Sequence, residues 1–287
     1  MPEGPEVTIV TKQLNSAVQN KTIKDIEIVS GRYLRKEPVG FTDYVDYAVN
    51  QFPQQVLGVN NKGKFIYWLT TTGVIFSTLG MTGTYKTENN KYARVKWTFT
   101  DNSEIYYSDM RNFGTLKFFH RAHYMSALEK KLSELGPDML NEPCDEETWL
   151  QICEKRKNQS LVKFLMEQKN VSGVGNIYKS ESLFLAALAP HRKVGDCSTE
   201  ELLRLYQAVI TVLKNSLETG GATIRNYSDL YNNQGQYVSF PSQATEMMKS
   251  RIGVMVYSQK EDPYGNPIHK IKLDDQRNTY YSPEVQK

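Results

Sequence analysis

Residues 3–18 carry apolar side chains at Val7, Val10, Leu14 and Ala17/Val18, the spacing of one helical face. Pro5 and the acidic Glu3 and Glu6 stand where a first turn favours them. A strand follows over 22–29, TIKDIEIV. From about 55 to 119 come the short runs QQVLGV, KFIYWLTT, VIFSTL, YARVKWTF, SEIYYSD and TLKFF, separated by Gly, Asn and Asp turn signals. Within them Val95, Trp97 and Phe99 alternate with Arg94, Lys96 and Thr98. This period of two predicts an antiparallel two-layer β structure carrying the first helix.

The period then changes. From 142 to about 219 the pattern is helical: DEETWLQICEKR, SLVKFLMEQ, NIYKSESLFLAAL and STEELLRLYQAVITVLKNSLETGG. Ser198 with Glu201 forms a capping box, and Gly220-Gly221 is a C-terminal stop. Residues 124–141, ending in Leu135-Gly136-Pro137-Asp138, read as a linker, and 226–243 as a polar loop. In a last small unit the strand-like runs RIGVMVY and NTYYS bracket turns at Asp262-Pro263-Tyr264-Gly265 and Asp274-Asp275. The expectation is an α+β chain: a β-sandwich domain over 1–123, the linker 124–141, a helical domain over 142–244 and a hairpin unit over 245–287.

Composition narrows the function. A length of 287 residues suits two modest domains. Mean hydropathy is −0.54. No run approaches the ~18 apolar residues of a membrane span, and no signal peptide opens the chain. A soluble intracellular protein with no membrane partner is expected, its compartment undecided. A net charge of +3 and a pI near 8.5 are compatible with nucleic acid but fall short of a frankly basic binding domain. Binding must come from where charges sit. Cys144, Cys153 and Cys197 are odd in number and widely spaced, which suggests neither a disulfide framework nor a metal site. No cofactor is expected.

The chemistry lies at the start, Met1-Pro2-Glu3-Gly4-Pro5-Glu6-Val7. Removal of Met1, which a small second residue permits, frees a secondary amine on Pro2. Chain-start amines have pKa about 7.7–8.0 against about 10.4 for lysine, so roughly a tenth is unprotonated at neutral pH. Such an amine attacks carbonyl-like carbon, and proline then gives an iminium that keeps its charge and acts as an electron sink. The positive end of the first helix favours an ionised carboxylate beside it. On composition alone, the same residues are a Pro/Gly-rich lead-in to an ordinary amphipathic helix. Lys64, after Asn60-Asn61-Lys62-Gly63, is either a solvated turn lysine or a charge that grips an anion. The hairpin 170–181, NVSGVGNIYKSE, lacks the third glycine of a nucleotide motif. It is either an interhelical turn or a helix N-terminus offering amides to an anion such as a DNA phosphate.

Pro-Glu-Gly-Pro-Glu-Val at the start, Lys64, the loops Leu79-Gly-Met-Thr-Gly83 and Asp109-Met-Arg-Asn-Phe-Gly114, GVGNIYKSESLF and Arg277 resemble, in order, the formamidopyrimidine-DNA glycosylase and endonuclease VIII family of base-excision repair enzymes. The resemblance covers nearly the whole chain. It implies an N-terminal β-sandwich with the first helix, then a helix–two-turn–helix domain with a β-hairpin finger, and DNA in the cleft between. Pro2 would be the nucleophile, Glu3 the acid/base, and Lys64 and Arg277 the phosphate-gripping residues of the catalytic set. Met81, Arg111 and Phe113 would enter the stack as the damaged nucleotide leaves it. Asn176 would hold phosphate, and Glu6 and Tyr178 complete the nucleic-acid-binding set. Thr82, Met110 and Asn112 depart from the family's LGMSG and DPRRFG loops but leave those three positions intact.

The finger also departs. Its four zinc-ligand positions fall at about Glu261, Tyr264, Ser282 and Val285, none a cysteine, and His269 alone cannot hold structural zinc. A zincless finger is therefore expected, packed through Val254, Val256, Ile268, Ile271, Tyr280 and Tyr281, as in vertebrate endonuclease VIII-like enzymes. The implied activity is that of a monomeric bifunctional glycosylase/AP lyase on double-stranded DNA with oxidised or abasic lesions, using a Pro2 Schiff base and β,δ-elimination. Oxidised pyrimidines and hydantoins are the favoured substrates. The NIYKSE signature leaves 8-oxoguanine and formamidopyrimidines as the alternative, with the loop 222–243 as arbiter. A catalytically silent DNA-structure binder and an RNA-binding protein are the readings from other classes.

Overall fold

The computed structural model describes residues 1–222, 228–236 and 254–287. The chain divides into two compact units. The first takes 1–2, 6–134 and the described part of 224–235; the second takes 3–5 and the described remainder from 135 to 287.

In the first unit, helix α1 (Gly4–Val18) is followed by β1 (Thr22–Ile28), a short helical segment holding α2 (Phe41–Tyr44), then β2 (Gln54–Lys62), β3 (Phe65–Thr70), β4 (Gly73–Thr78), β5 (Gly83–Lys86), β6 (Ala93–Phe99), β7 (Glu104–Asp109) and β8 (Thr115–His120). The strand order is β5-β7-β6-β1-β2-β3-β4-β8, antiparallel at every named pairing. Between β1 and β2 only Thr22–Gln55 and Ile23–Gln54 pair, and at that seam the strands part into the two layers of a sandwich. Trp68 of β3 stacks on Trp97 of β6 at 5.2 Å, across strands that are not neighbours, so their rings fill the space between layers. Val7, Val10, Leu14 and Val18 are buried in the same core, as the helical stripe predicts.

The predicted linker is half helix. Helix α3 (Tyr124–Ser133) belongs to the first unit, and the long run of the second starts at Leu135. Leu128 is the one buried residue of α3, so the helix shows hardly any apolar stripe.

The second unit holds α4 (Glu146–Lys155), α5 (Leu161–Met166), α6 (Asn176–Leu185) and α7 (Thr199–Glu218). Asp145, Ser160 and Ser198 accept from backbone N–H groups at the starts of α4, α5 and α7, and Ser198 and Glu201 close the expected capping box. Trp149 packs edge-on against Phe164 and donates from its indole to the Leu202 carbonyl.

The hairpin unit pairs β9 (His269–Lys272) with β10 (Asn278–Tyr281). Of the run RIGVMVY, residues 251–253 lie outside the described residues, as does most of the loop 222–243. Residues 254–257 are not a strand, because their amides are spent elsewhere. Met255, Val256 and Tyr257 donate their N–H groups to the carboxylate of Glu181, at 2.6, 2.9 and 2.9 Å. Met255 and Val256 pack on Phe184, with Leu185, Ile268 and Val285 alongside.

Glu181 is fully buried, and burial pushes its carboxyl up to about 6 although three amides pull the other way. The folded state thus holds this proton to higher pH than the unfolded chain. Its stabilisation is full below about pH 4.5 and is lost as pH rises through about 6. Glu181→Gln is expected to flatten that part of the stability profile by on the order of 2 kcal/mol. Urea unfolding of both proteins at pH 4.5 and pH 7 measures it; parallel profiles would contradict the assignment.

Candidate active site and nucleic-acid interface

Pro2 and Glu3 are peptide-bonded neighbours that fall in different units, and both are buried. Glu3 precedes α1 and is fixed by α6. Its Oε1 accepts from the Ile177 N–H at 3.1 Å and its Oε2 from the Tyr178 N–H at 3.4 Å. These are N-terminal amides of α6, the donors a helix leaves unsatisfied and the end where its dipole favours negative charge. The Gly4 N–H donates to the Gly173 carbonyl at 2.8 Å, drawing the chain start onto the glycine hairpin.

The glycines make that approach possible. A Cβ on Gly175 would lie 2.2 Å from the Glu3 carboxyl carbon, and one on Gly4 would lie 3.0 Å from the Gly173 oxygen. Gly173 itself has φ +95°. The anion expected at this helix start was a DNA phosphate. The structure seats the carboxylate of Glu3 there instead.

Tyr178 also differs from expectation. Its side chain is fully buried and its hydroxyl pairs with Ser216 Oγ at 2.5 Å, so it serves the core, while its backbone N–H serves Glu3. Glu6 is likewise buried. Neither side chain presents a surface to a nucleic acid.

Asn176 is partly exposed at the first position of α6. Its Oδ1 accepts from Lys179 Nζ at 2.8 Å and its Nδ2 donates to the Asn278 carbonyl at 3.1 Å. Arg277 is exposed in the turn between β9 and β10, where Gln276 adopts φ 57°. Its backbone N–H donates to Asp275 Oδ1 at 3.1 Å. One end of the second unit thus brings Asn176 and Arg277 into a single hydrogen-bonded group.

In the first unit Lys64 follows Gly63, which takes φ 55° in the tight turn from β2 to β3. Asn61 Nδ2 donates to Thr8 Oγ1 and to the Gly63 carbonyl, both at 3.0 Å, and so ties this turn to α1. The loops carrying Met81, Arg111 and Phe113 are joined at their base by Asp109, which is 1% exposed. Its Oδ1 accepts from Thr82 Oγ1 at 2.6 Å and from the Arg111 N–H at 3.2 Å; its Oδ2 accepts from the Gly114 N–H at 2.8 Å. The hydroxyl at 82 is what this contact needs, so threonine serves as well as the serine of the family motif. Phe113 is 55% exposed, with the Arg111 guanidinium 4.9 Å from its ring centre. Asp109, Lys179 and Asp275 were not singled out from sequence. Their only local signal is a charged residue beside a candidate contact.

Three family profiles match the chain: the formamidopyrimidine-DNA glycosylase N-terminal domain over residues 1–116, the H2TH domain over 135–228 and the C-terminal domain over 246–287. The formamidopyrimidine-DNA glycosylases of Exiguobacterium sp. and Bacillus cereus are each 32% identical to it, over 100% of this chain and 99% of theirs. A mutant Lactococcus lactis enzyme of this name, in complex with DNA containing Fapy-dG, superposes with a TM-score of 0.80 at 25% identity over 100% of both chains. The Lactococcus lactis enzyme bound non-covalently to DNA with an AP site gives 0.77 at 24% identity over 99% of both, a likeness of fold. An N-terminal β domain followed by an H2TH helical domain and a C-terminal hairpin defines the class as that of DNA glycosylases. The chain belongs to the formamidopyrimidine-DNA glycosylase family.

Gly175→Ala is expected to expel the Glu3 carboxylate from the α6 amides while leaving the helices formed. Loss of a positioned acid/base corresponds to a rate decrease of about 10²–10⁴-fold. Single-turnover base release from a lesion-containing duplex, with circular dichroism as the folding control, tests this. Parental rates would show that Glu3 does not need its amides.

Proposed function

We propose that the protein is a bifunctional DNA glycosylase/AP lyase of base-excision repair acting on oxidised purines, formamidopyrimidines and 8-oxoguanine. The observation that carries the proposal is the buried Glu3 carboxylate on the α6 amides, directly after Pro2. A DNA-structure binder or an RNA-binding protein has no use for an acid held beside a chain-start amine.

While Met1 is attached, the Pro2 nitrogen is an amide whose lone pair is delocalised; its removal creates the nucleophile. The amine then attacks C1′ of the damaged nucleotide and the bond to the base breaks, the departing base taking a proton from water. The Pro2 N–H proton passes to the Glu3 carboxylate, which delivers it to the sugar ring oxygen as the ring opens to the iminium. That cation acidifies the C2′ proton, whose loss expels the 3′ phosphate, and a second elimination expels the 5′ phosphate. Met81, Arg111 and Phe113 fill the stack, and Lys64, Asn176 and Arg277 hold phosphates. The half-exposed Phe113 beneath Arg111 supports the wedge role.

The relatives revise the substrate. The expected lean to oxidised pyrimidines and hydantoins rested on the zincless finger alone. The full-length relatives described above are formamidopyrimidine-DNA glycosylases, and a complex with DNA containing carbocyclic 8-oxo-G superposes at TM-score 0.80.

We further infer that the finger is held without metal. Residues 246–287 contain no cysteine and His269 is their sole histidine, so zinc finds no tetrahedral set of thiolates and imidazoles. A carboxylate supports the same junction. Asp262, 0% exposed, accepts from the Tyr264 and Asn266 N–H groups at 2.8 and 2.9 Å, from Asn266 Nδ2 at 3.0 Å and from Ser282 Oγ at 2.7 Å. These bonds join the two turns whose zinc ligands are missing.

Four measurements test these proposals. Borohydride should trap the protein on abasic-site DNA, the adduct disappearing in Pro2→Gly, and release of 8-oxoguanine and formamidopyrimidine should outpace release of thymine glycol, 5-hydroxyuracil and a hydantoin by about tenfold or more. Absence of an adduct defeats the lyase, and a reversed ranking restores the pyrimidine preference. A strong chelator should leave melting and activity unchanged, whereas Asp262→Ala, which strands four donors, should lower stability by about 1–3 kcal/mol.

A further inference from the structure

Lys179 has no part in the chemistry above, yet it is among the most deeply buried cations described. Its side chain is 0% exposed and that of Asp275 is 3% exposed, with Nζ and Oδ2 2.6 Å apart. Burial lowers the ammonium pKa by more than Asp275 raises it. Burying two charges without function is unfavourable, since well-packed apolar residues of similar volume serve stability as well or better. The pair is therefore better explained by what it holds.

It holds two phosphate-directed residues at once. The remaining protons of Lys179 Nζ go to Asn176 Oδ1 and Thr279 Oγ1, each at 2.8 Å. Asn176 is thereby oriented, its carbonyl oxygen on the lysine and its amide on the Asn278 carbonyl. The other oxygen of Asp275 accepts from the Arg277 N–H and pins the turn in which Gln276 takes its left-handed conformation. Asn176 sits on α6, and Arg277 lies in the β9–β10 turn. The two are 101 positions apart in the chain (277 − 176) and share one lysine–aspartate pair.

We propose that Lys179 and Asp275 are positioning residues that pre-set Arg277 and Asn176 for the phosphate flanking the damaged nucleotide. The inference rests on the phosphate-binding role proposed above for those two residues. Lys179 touches no DNA itself. Without the pair the turn carrying Arg277 loses its tether to α6, and the arginine must be ordered on binding. That ordering weakens every step that uses the phosphate contact.

The test is a double-mutant cycle on the full-length protein with Lys179→Met and Arg277→Ala. Kd for a duplex carrying an uncleavable abasic analogue is measured against salt, together with the single-turnover excision rate. Each single variant should weaken binding by about tenfold, and each should lower the salt slope by about one, the loss of one phosphate contact. The double variant should lose clearly less than the sum of the two single losses, exceeding Arg277→Ala only by what a disordered Asn176 costs, a non-additivity that a merely structural lysine would not produce. Where Lys179→Met does not fold, Asp275→Asn in the same cycle gives the same expectation. Additive losses overturn the inference, as does a Lys179→Met or Asp275→Asn protein that binds like the parent beside an impaired Arg277→Ala. An unimpaired Arg277→Ala would defeat the phosphate role itself, and the inference with it.

Discussion

The carboxylate of Glu3 sits on two backbone amides at the start of α6, and the site cannot be built without that contact. It sets the position of the residue after Pro2, and it explains the glycines opposite. A side chain at 175 would occupy the carboxylate's own volume. The first amides of a helix have no partner within the helix and are available to hold an acceptor. The acid is therefore positioned by backbone, which does not change rotamer.

The same device recurs wherever precision is needed. Asp109 gathers the Arg111 and Gly114 amides at the base of the loops carrying Met81 and Phe113. Glu181 gathers those of 255–257 and docks the segment leading to the hairpin. Asp262 does so at the turn that closes the finger. Each carboxylate is buried and satisfied, so each converts a costly desolvation into a unique local geometry. In Asp262 the arrangement reaches the finger.

Legibility in the sequence follows from whether the cause is local. The stripe of α1, the alternation in β6 and the Ser198–Glu201 box are set by neighbours within a turn, and the structure has them as predicted. The four-residue β5 and the helix α3 escaped, one being too short for a period and the other burying a single apolar residue. Over 254–257 the strand expected from RIGVMVY is absent because the amides of 255–257 answer to Glu181, 75 positions earlier than Val256. Glu3 lies 174 positions from Ile177, so the anion for the glycine hairpin could not be chosen between a phosphate and the chain's own carboxylate. The motifs marked where the chemistry would be; the packing decided which groups do it.

Charge distribution completes the argument. A net charge of +3 gives little general attraction for DNA, and buried Lys179 is spent on Asp275. Two of the exposed cations, Arg111 and Arg277, stand where loops have been tied down by buried carboxylates. Arginine at such points offers a planar fork for phosphate or base edges. Holding its backbone beforehand reduces the entropy that binding must remove. A modestly charged chain can thus grip a polyanion through few contacts, provided each is ordered before the DNA arrives.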